Sequence, residues 1–295
     1  FFRNARISLQ AIPAPGHRFV LWQGISGTDA VNSLTPVGDT TFVAVFAPLD
    51  DISIIPPLVA QDTTLAAAAS PWYGLEDVLV LPGARLTIEA GATLLLTDGM
   101  CFDIQGGLAF NGSAEERIQV LSDPAPSARR SFYGQHGKWG SIQAVSPTDS
   151  LIIRHTDLSN GSFGRDRSAH YSTISAYDAD IELKGISITQ GLAPFIARGG
   201  SAHIRGSIFH TFNSVNGFIS LYDMDSPVIE GCTFRGNRAI NTDAIDLKGI
   251  TNGVVRQNHI NGFRGSNCDG IDLGIYSDNV LVEENIIHDC SDKGI

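Results

Sequence analysis

The sequence predicts an all-β protein in which most of the chain winds into a solenoid, a parallel β-helix. From about residue 75 onwards, short segments of alternating apolar and polar residues are broken by Gly and Asp, as expected for strands joined by turns. No stretch with helical periodicity exceeds about two turns. Apolar residues recur every 22 to 26 residues, and such periods are typical of a solenoid with one rung per repeat.

Three columns of residues carry this period. The first is a column of isoleucines that we expect in the core: Ile174, Ile196, Ile219, Ile245, Ile271 and Ile295. The second column is also apolar and contains Leu221, Leu247 and Leu273. The third contains Ser207, Cys232, Asn258 and Asn285. We interpret the third column as architectural, because asparagine tolerates left-handed backbone geometry and its side chain can form hydrogen bonds between rungs.

Residues 1–48 are predicted to form a small N-terminal β module. Alternating apolar residues in "ARISLQAIP", "HRFVLWQG" and "DTTFVAVFAP" indicate three strands. The segment resembles the internalin-type B-repeat of bacterial surface proteins, which has a Pro-Gly turn, an aromatic strand and a final T-x-x-A-x-F strand. Trp22, Gly24, Ala44 and Phe46 match that pattern. The resemblance covers about 40 residues and implies a spacer or stalk without chemistry of its own.

Residues 49–74 are predicted as a Pro-rich linker and entry segment, and residues 75–295 as the β-helix. Pro48, Pro56 and Pro57 exclude a continuous helix and stiffen the linker. The chain stops at Ile295, in the core column, with no capping segment after it. Because open strand edges invite pairing, we expect the β-helix to continue in a longer protein. The alternative is that another copy covers the end, which would permit self-assembly.

Composition and cysteine spacing argue against several classes of protein. The net charge of −11 argues against nucleic acid as a partner, because nucleic-acid binding depends on neutralising phosphates. No apolar run reaches the roughly 18 residues of a membrane span. The four cysteines show no CxxC spacing, so a zinc site is not expected. Cys268 and Cys290 lie 22 residues apart and could either form a disulfide between rungs or remain buried thiols.

Two outward rows contain the candidate functional residues, because alternate residues of each strand point away from the core. The first row is predicted as Ser175, Ala197, Ser220, Asp246 and Asp272, and the second as Arg198, Tyr222, Lys248 and Gly274. Asp246 and Asp272 would stack about 4.8 Å apart and repel each other unless a cation intervenes. Two stacked carboxylates could hold calcium, which prefers oxygen ligands.

Two interpretations of these rows stay open. In the functional one, Lys248 or Arg198 acts as the base or charge neutraliser of a polysaccharide lyase, and Tyr222 stacks on a sugar. In the structural one, Asp243 and Asp269 accept hydrogen bonds from N–H groups at the turns that enter the strands. Asp246 and Asp272 are then solvated residues of the outer face.

The chain from residue 75 resembles the right-handed parallel β-helix, or pectate-lyase-like, superfamily. "VLPGARLTIEAGATLLL" looks like the entry to such helices, and "DAIDL" and "DGIDL" look like their later rungs. The resemblance covers about 220 of 295 residues. It implies the fold but not the function, because the scaffold carries lyases, hydrolases, epimerases, adhesins and inert surface proteins. In lyases of this superfamily, acidic residues on an outward sheet hold calcium near a basic residue.

The motifs that would identify a particular enzyme are incomplete. "NTDA" begins at Asn241, but the DD and GHG that accompany NTD in the hydrolases do not follow. We therefore expect a secreted or cell-surface bacterial protein with a structural, adhesive or glycan-contacting role. Its expected partners are a polysaccharide, a cell-surface glycan or further copies of itself, with no cofactor or with calcium at Asp246 and Asp272. The alternative is a polysaccharide lyase or another carbohydrate-active enzyme that uses Lys248, Arg198 and Tyr222.

Overall fold

The computed structural model describes residues 6–13, 17–24, 30–35, 41–48, 52–123, 137–164, 171–211 and 217–295. Within these ranges the chain forms 30 β-strands and one short 3₁₀ turn at Ala67–Ala69. No helix in the described ranges is long and apolar enough to cross a membrane. The all-β class predicted from the sequence is confirmed.

The first four strands form two antiparallel pairs. They are β1 (Ile7–Gln10), β2 (His17–Gln23), β3 (Val31–Leu34) and β4 (Val43–Pro48). β1 pairs with β3 and β2 pairs with β4, and Phe19 and Trp22 are central to a small apolar cluster between them. β1, β2 and β4 coincide with the three predicted strands. The predicted Pro-Gly turn lies outside the described residues, and the resemblance to a B-repeat stays a prediction.

The remaining strands, numbered in chain order, form three parallel ladders that we call faces 1, 2 and 3. Face 1 contains β6 (Leu58–Val59), β9 (Val78–Val80), β12 (Phe102–Ile104), β15 (Ile142–Val145), the first half of β18 (Ile174–Lys184), the first half of β20 (Phe195–Arg205), β22 (Gly217–Tyr222), β25 (Asp243–Lys248) and β28 (Ile271–Leu273). Face 2 contains β7 (Thr63–Leu65), β10 (Arg85–Glu89), β13 (Gly107–Asn111), β16 (Leu151–Arg154), the second halves of β18 and β20, β23 (Val228–Glu230), β26 (Val254–Arg256) and β29 (Leu281–Glu283). Face 3 contains β5 (Ser53–Ile54), β8 (Trp72–Gly74), β11 (Thr93–Leu96), β14 (Ile118–Ser122), β17 (Thr156–Ser159), β19 (Ser187–Gly191), β21 (Ile208–Thr211), β24 (Thr233–Arg235), β27 (His259–Asn261) and β30 (Ile286–His288).

Each rung of the solenoid contributes one strand to each face. The ladders begin at β5, which pairs with β8, and β6 and β7 pair with β9 and β10. Strands of the solenoid therefore already occur within residues 49–74, the segment that the sequence analysis assigned to the linker and entry. Apolar side chains from all three faces meet in one continuous core.

The isoleucine column is in the predicted register at most rungs. Ile219 pairs with Ile245, and Ile245 pairs with Ile271. The prediction for Ile196 is wrong, because Phe195 pairs with both Ile174 and Ile219. Both neighbours in "PFIA" are apolar, so periodicity alone did not distinguish the inward residue from the outward one.

The positions of Ile295 and Ala197 also differ from those expected from the sequence. The N–H of Ile271 donates to the carbonyl of Gly294, which places Ile295 beside Ile271 as predicted. However, Ile295 is 61% exposed, so its expected position in the core is not observed in this structure. The shift at Phe195 turns Ala197 inward, where it is buried. Ile196 replaces it in the first outward row, between Ser175 and Ser220.

The column of Ser207, Cys232, Asn258 and Asn285 forms a hydrogen-bonded ladder at one corner of the solenoid. Asn258 Oδ1 accepts from the N–H of Cys232 at 2.9 Å, and Asn285 Oδ1 accepts from the N–H of Asn258 at 3.0 Å. Ser207 Oγ accepts from the N–H of Ile186 at 3.2 Å. Because each side chain satisfies a buried N–H of the adjacent rung, the architectural interpretation is confirmed.

Candidate functional site

Face 1 brings the predicted candidate residues together on four consecutive strands. Asp246 of β25 is directly opposite Ser220 of β22 and Asp272 of β28. In the next outward row, Tyr222 is opposite Arg198 of β20 and Lys248 of β25. Since paired strands are about 4.8 Å apart, the predicted stack of Asp246 on Asp272, beside Lys248, is confirmed.

Asp246 is buried, although the structural interpretation of the sequence expected it to be solvated. It is only 1% exposed. The Tyr222 hydroxyl donates to Asp246 Oδ2 at 2.8 Å, and Lys248 Nζ donates to the same oxygen at 3.1 Å. Both side chains come from the neighbouring outward row and close over the carboxylate. A buried carboxylate is stable only when it is paired and hydrogen-bonded, and these two partners provide both.

The second carboxylate oxygen of Asp246 has a different environment. Oδ1 is 2.9 Å from Lys248 Nζ, close enough for an ion pair, but the lysine directs its hydrogen bond to Oδ2. Among the described residues, Oδ1 accepts no hydrogen bond. Gly217 leaves the room for this side chain, because a Cβ at that position would lie 3.0 Å from Asp246 Cβ. The outward face thus contains a buried acid whose Oδ1 has an ion-pair contact with Lys248 but no hydrogen bond among the described residues.

Asp243 and Asp269 form a ladder at the turn that enters face 1. The N–H of Asp269 donates to Asp243 Oδ1 at 2.8 Å, and the N–H of Lys293 donates to Asp269 Oδ1 at 2.9 Å. The predicted hydrogen bonds between these aspartates and turn N–H groups are therefore confirmed. The same turn also brings Asp243 close enough to Asp246 and Asp272 for their charges to affect it.

Asp243, at the edge of this cluster, has a pKa that is raised towards neutral pH. Burial, together with the negative charges of Asp269, Asp272 and Asp246, raises the pKa of Asp243 to about 6, against the lowering effect of its hydrogen bond from Asp269. Burial and the charge of Asp246 also raise the pKa of Asp272. From the sequence, Asp243 is expected only as a residue of the turn that enters the strand. Its unusual pKa depends on burial and on neighbours in other rungs, which the repeat alone does not reveal.

Lys248 and Tyr222 are held in their protonated forms. Partial burial lowers the pKa of Lys248, but the hydrogen bond and charge of Asp246, with the charges of Asp272 and Asp243, outweigh it and raise the pKa overall. Burial and the charge of Asp246 raise the pKa of the Tyr222 hydroxyl well above its usual range. At neutral pH both groups can donate hydrogen bonds and stabilise negative charge. Because both are protonated, neither can act as a general base.

Arg198 and Lys248 flank the ring of Tyr222. The Arg198 guanidinium carbon is 5.5 Å from the ring centroid and Lys248 Nζ is 5.8 Å from it, which are both cation–π distances. Arg198 Nε is also 3.6 Å from Asp223 Oδ2, and both of these side chains are more than half exposed. Tyr177 precedes Arg198 in the same row. Face 1 therefore presents an alternating aromatic and cationic row, Tyr177, Arg198, Tyr222 and Lys248, on four successive rungs.

The calcium prediction for Asp246 and Asp272 stays a prediction. In the parts of the chain that the structure describes, no group of three or more His, Cys, Asp or Glu side chains is arranged to hold a metal ion. Lys248 supplies a cation at Asp246 from within the protein. Burial and the charge of Asp246 raise the pKa of Asp272, so a bound divalent ion would favour the ionised form of Asp272.

The cysteines are free thiols, so the alternative of a disulfide between Cys268 and Cys290 is not the one present in this structure. Cys268 Sγ donates to the carbonyl of Ala239 at 3.1 Å. Burial raises the pKa of Cys290 to about 11. A thiol with a raised pKa is a poor nucleophile at neutral pH, and we assign no chemistry to these residues.

Comparison with known proteins shows the family of the chain. Residues 148–295, half of the chain, match the family described as the right handed beta helix region. The chain therefore belongs to the right-handed β-helix family, as the sequence analysis predicted. No match was found among curated proteins. Among solved structures, the A-module of the mannuronan C-5 epimerase AlgE4 from Azotobacter vinelandii is similar over 79% of this chain and 86% of that chain, at 10% identity and a TM-score of 0.20. A likeness at that TM-score supports no conclusion about function.

Proposed function

We propose that face 1 is a glycan-contacting surface on which a polysaccharide chain lies parallel to the solenoid axis. The observation that carries the proposal is the row of Tyr177, Arg198, Tyr222 and Lys248 on successive rungs. The row extends over about 14 Å, three rung spacings, which is enough to contact several sugar units. Its exposed cationic groups are hydrogen-bond donors for sugar hydroxyls, and its aromatic rings offer apolar surface.

The residues beneath the row support this proposal. Tyr222 and Lys248 are held in place by the buried carboxylate of Asp246, so they lose little conformational entropy when a ligand binds. Two of the four side chains in this partly exposed row are therefore anchored by a buried acid. Secretion or display at the cell surface, which the resemblance implies, belongs to the same proposal, and cell fractionation tests it.

Affinity electrophoresis through gels that contain neutral or acidic polysaccharides tests the glycan contact. We expect at least one polysaccharide to retard the protein, and Arg198→Ala to reduce the retardation. Arg205→Ala is a matched control, because Arg205 lies on the same strand β20 but on face 2 and has a similar exposure and a similar carboxylate partner. If no polysaccharide retards the protein, or if both variants behave alike, face 1 is not the glycan-contacting surface.

A second candidate function is catalysis on the same glycan. The observation that favours it is the half-buried Asp243, whose pKa of about 6 suits a general acid near neutral pH. Protonated Lys248 and Tyr222 would stabilise negative charge rather than remove a proton, so a role for Lys248 as the base of a lyase has less support. Asp243 would donate its proton to the departing glycosidic oxygen while a water molecule adds to the sugar carbon and gives up a proton to solvent, so that the glycosidic bond is hydrolysed.

The catalytic candidate is tested by incubating the protein with the polysaccharides that it retards. New reducing ends would indicate hydrolysis, and unsaturated-product absorbance would indicate elimination. If Asp243 is the acid, Asp243→Asn should abolish the products while leaving gel retardation intact. The absence of any product from a bound polysaccharide leaves glycan contact as the function and eliminates catalysis of both kinds.

A further inference from the structure

Two histidines on the outer surface of face 3 have ring nitrogens that lie close together. His259 begins β27 and His288 ends β30, and these strands pair with Asn261 opposite His288. The two histidines are therefore diagonal neighbours on adjacent rungs. Their Nε2 atoms are nevertheless only 3.0 Å apart, and the ring centroids are 5.3 Å apart at an interplanar angle of 38°.

The geometry of the pair suits chelation of a metal ion. Residues two positions apart on adjacent parallel strands start about 8 Å apart, from a strand spacing of about 4.8 Å and a rise of about 3.3 Å per residue, so the two imidazoles lean towards each other to bring their Nε2 atoms close together. With metal–nitrogen bonds of about 2.05 Å, a nitrogen separation of 3.0 Å corresponds to a nitrogen–metal–nitrogen angle of about 94°. That angle is close to the right angle of a square-planar or octahedral site, which Cu²⁺ and Ni²⁺ prefer.

A carboxylate supports His288 from the opposite side of its ring. Asp289 Oδ2 is 3.4 Å from His288 Nδ1, and the same oxygen accepts a hydrogen bond from Arg264 at 2.9 Å. A carboxylate beside Nδ1 favours the tautomer with its proton on Nδ1, which leaves the Nε2 lone pair free for a metal. Arg264 holds this carboxylate in position, and its positive charge is balanced by Asp289.

We propose that His259 and His288 form a two-histidine binding site for a divalent late transition-metal ion, with Asp289 positioning His288. In the described part of the chain, no third His, Cys, Asp or Glu completes a metal-binding group. Water or an external ligand therefore occupies the remaining coordination positions. The site lies on face 3 and does not depend on the glycan contact proposed for face 1.

Calorimetric titration of the protein, purified without a histidine tag, with Cu²⁺ or Ni²⁺ tests the proposal. We expect one ion per chain, and a loss of affinity of at least about tenfold in His259→Asn and in His288→Asn. Asp289→Asn removes only the support of the ligand and should weaken binding by about tenfold, the lower end of the effect of such a partner. His203→Ala, a histidine on face 2, should leave the affinity unchanged.

The electron paramagnetic resonance spectrum of the Cu²⁺ complex provides a second measurement, in which two nitrogen ligands should be visible in the wild type and one in each histidine variant. Thermal melting of each variant shows that it is folded, and either histidine variant alone is sufficient for the test. Binding that is unaffected by both substitutions overturns the proposal. A wild type that binds no Cu²⁺ or Ni²⁺ also overturns it and makes the pair an N–H···N hydrogen bond only.

Discussion

Replacing Lys248 by methionine should destabilise the protein through Asp246 rather than through lost packing. Methionine keeps an unbranched side chain of similar length, but it removes the ammonium that pairs with a carboxylate only 1% exposed. Removing one partner of a fully buried ion pair typically costs about 3–5 kcal/mol. The Lys248 side chain is 45% exposed, and the Tyr222 hydrogen bond remains, so water and Tyr222 recover part of that cost. We expect a loss of about 2 kcal/mol in the free energy of unfolding.

Thermal and urea unfolding, followed by circular dichroism, measure this change in the free energy of unfolding. A loss of about 2 kcal/mol should lower the melting temperature by about 4 °C. Lys184→Met, at an exposed position on face 2, is the control and should change the stability by less than about 0.5 kcal/mol. Adding Asp246→Asn to Lys248→Met removes the unpaired charge, so the double variant should be more stable than Lys248→Met alone. If Lys248→Met unfolds together with the control, or if the double variant is the least stable of the three, Lys248 does not stabilise the protein through Asp246.

Three further predictions concern the ladder, the pH dependence and calcium. Asn258→Ala leaves the buried N–H of Cys232 without its acceptor and should cost about 1–3 kcal/mol. Urea unfolding beside Asn111→Ala, at an exposed position of β13, measures this cost, and a cost no larger than that of the control contradicts the ladder's structural role. Folding raises the pKa of Asp243 from 3.8 to about 6. Between these two pH values the folded state therefore binds more protons than the unfolded state. The contribution of Asp243 to the free energy of unfolding decreases as the pH rises from about 4 to 6. Asp243→Asn should flatten this part of the stability–pH profile, and an unchanged profile contradicts the assignment. If calcium binds at Asp246 and Asp272, added Ca²⁺ should raise the melting temperature of the wild type but not of Asp272→Asn, whereas a wild-type melt that neither Ca²⁺ nor chelator changes eliminates that site.

The period of the sequence was sufficient to predict most of the fold. A repeat of apolar residues every 22 to 26 positions has few physical solutions, because each short strand can bury its apolar side only by stacking on the next rung. The same logic aligned Asp246 with Asp272 and Tyr222 with Lys248, and the structure agrees. It failed at Phe195 and Ile196, where two adjacent apolar residues satisfy the alternation equally well in either register.

The sequence by itself determined which residues share a row and a face, since a rung-length repeat and a two-residue alternation fix those positions along the chain. Only the tertiary structure decided what surrounds each side chain. It placed Tyr222 and Lys248 over Asp246, concentrated negative charge around Asp243, and brought His259 to within 3.0 Å of His288. Burial and charge interactions depend on distances between atoms of different rungs, and those distances depend on side-chain directions that no repeat encodes.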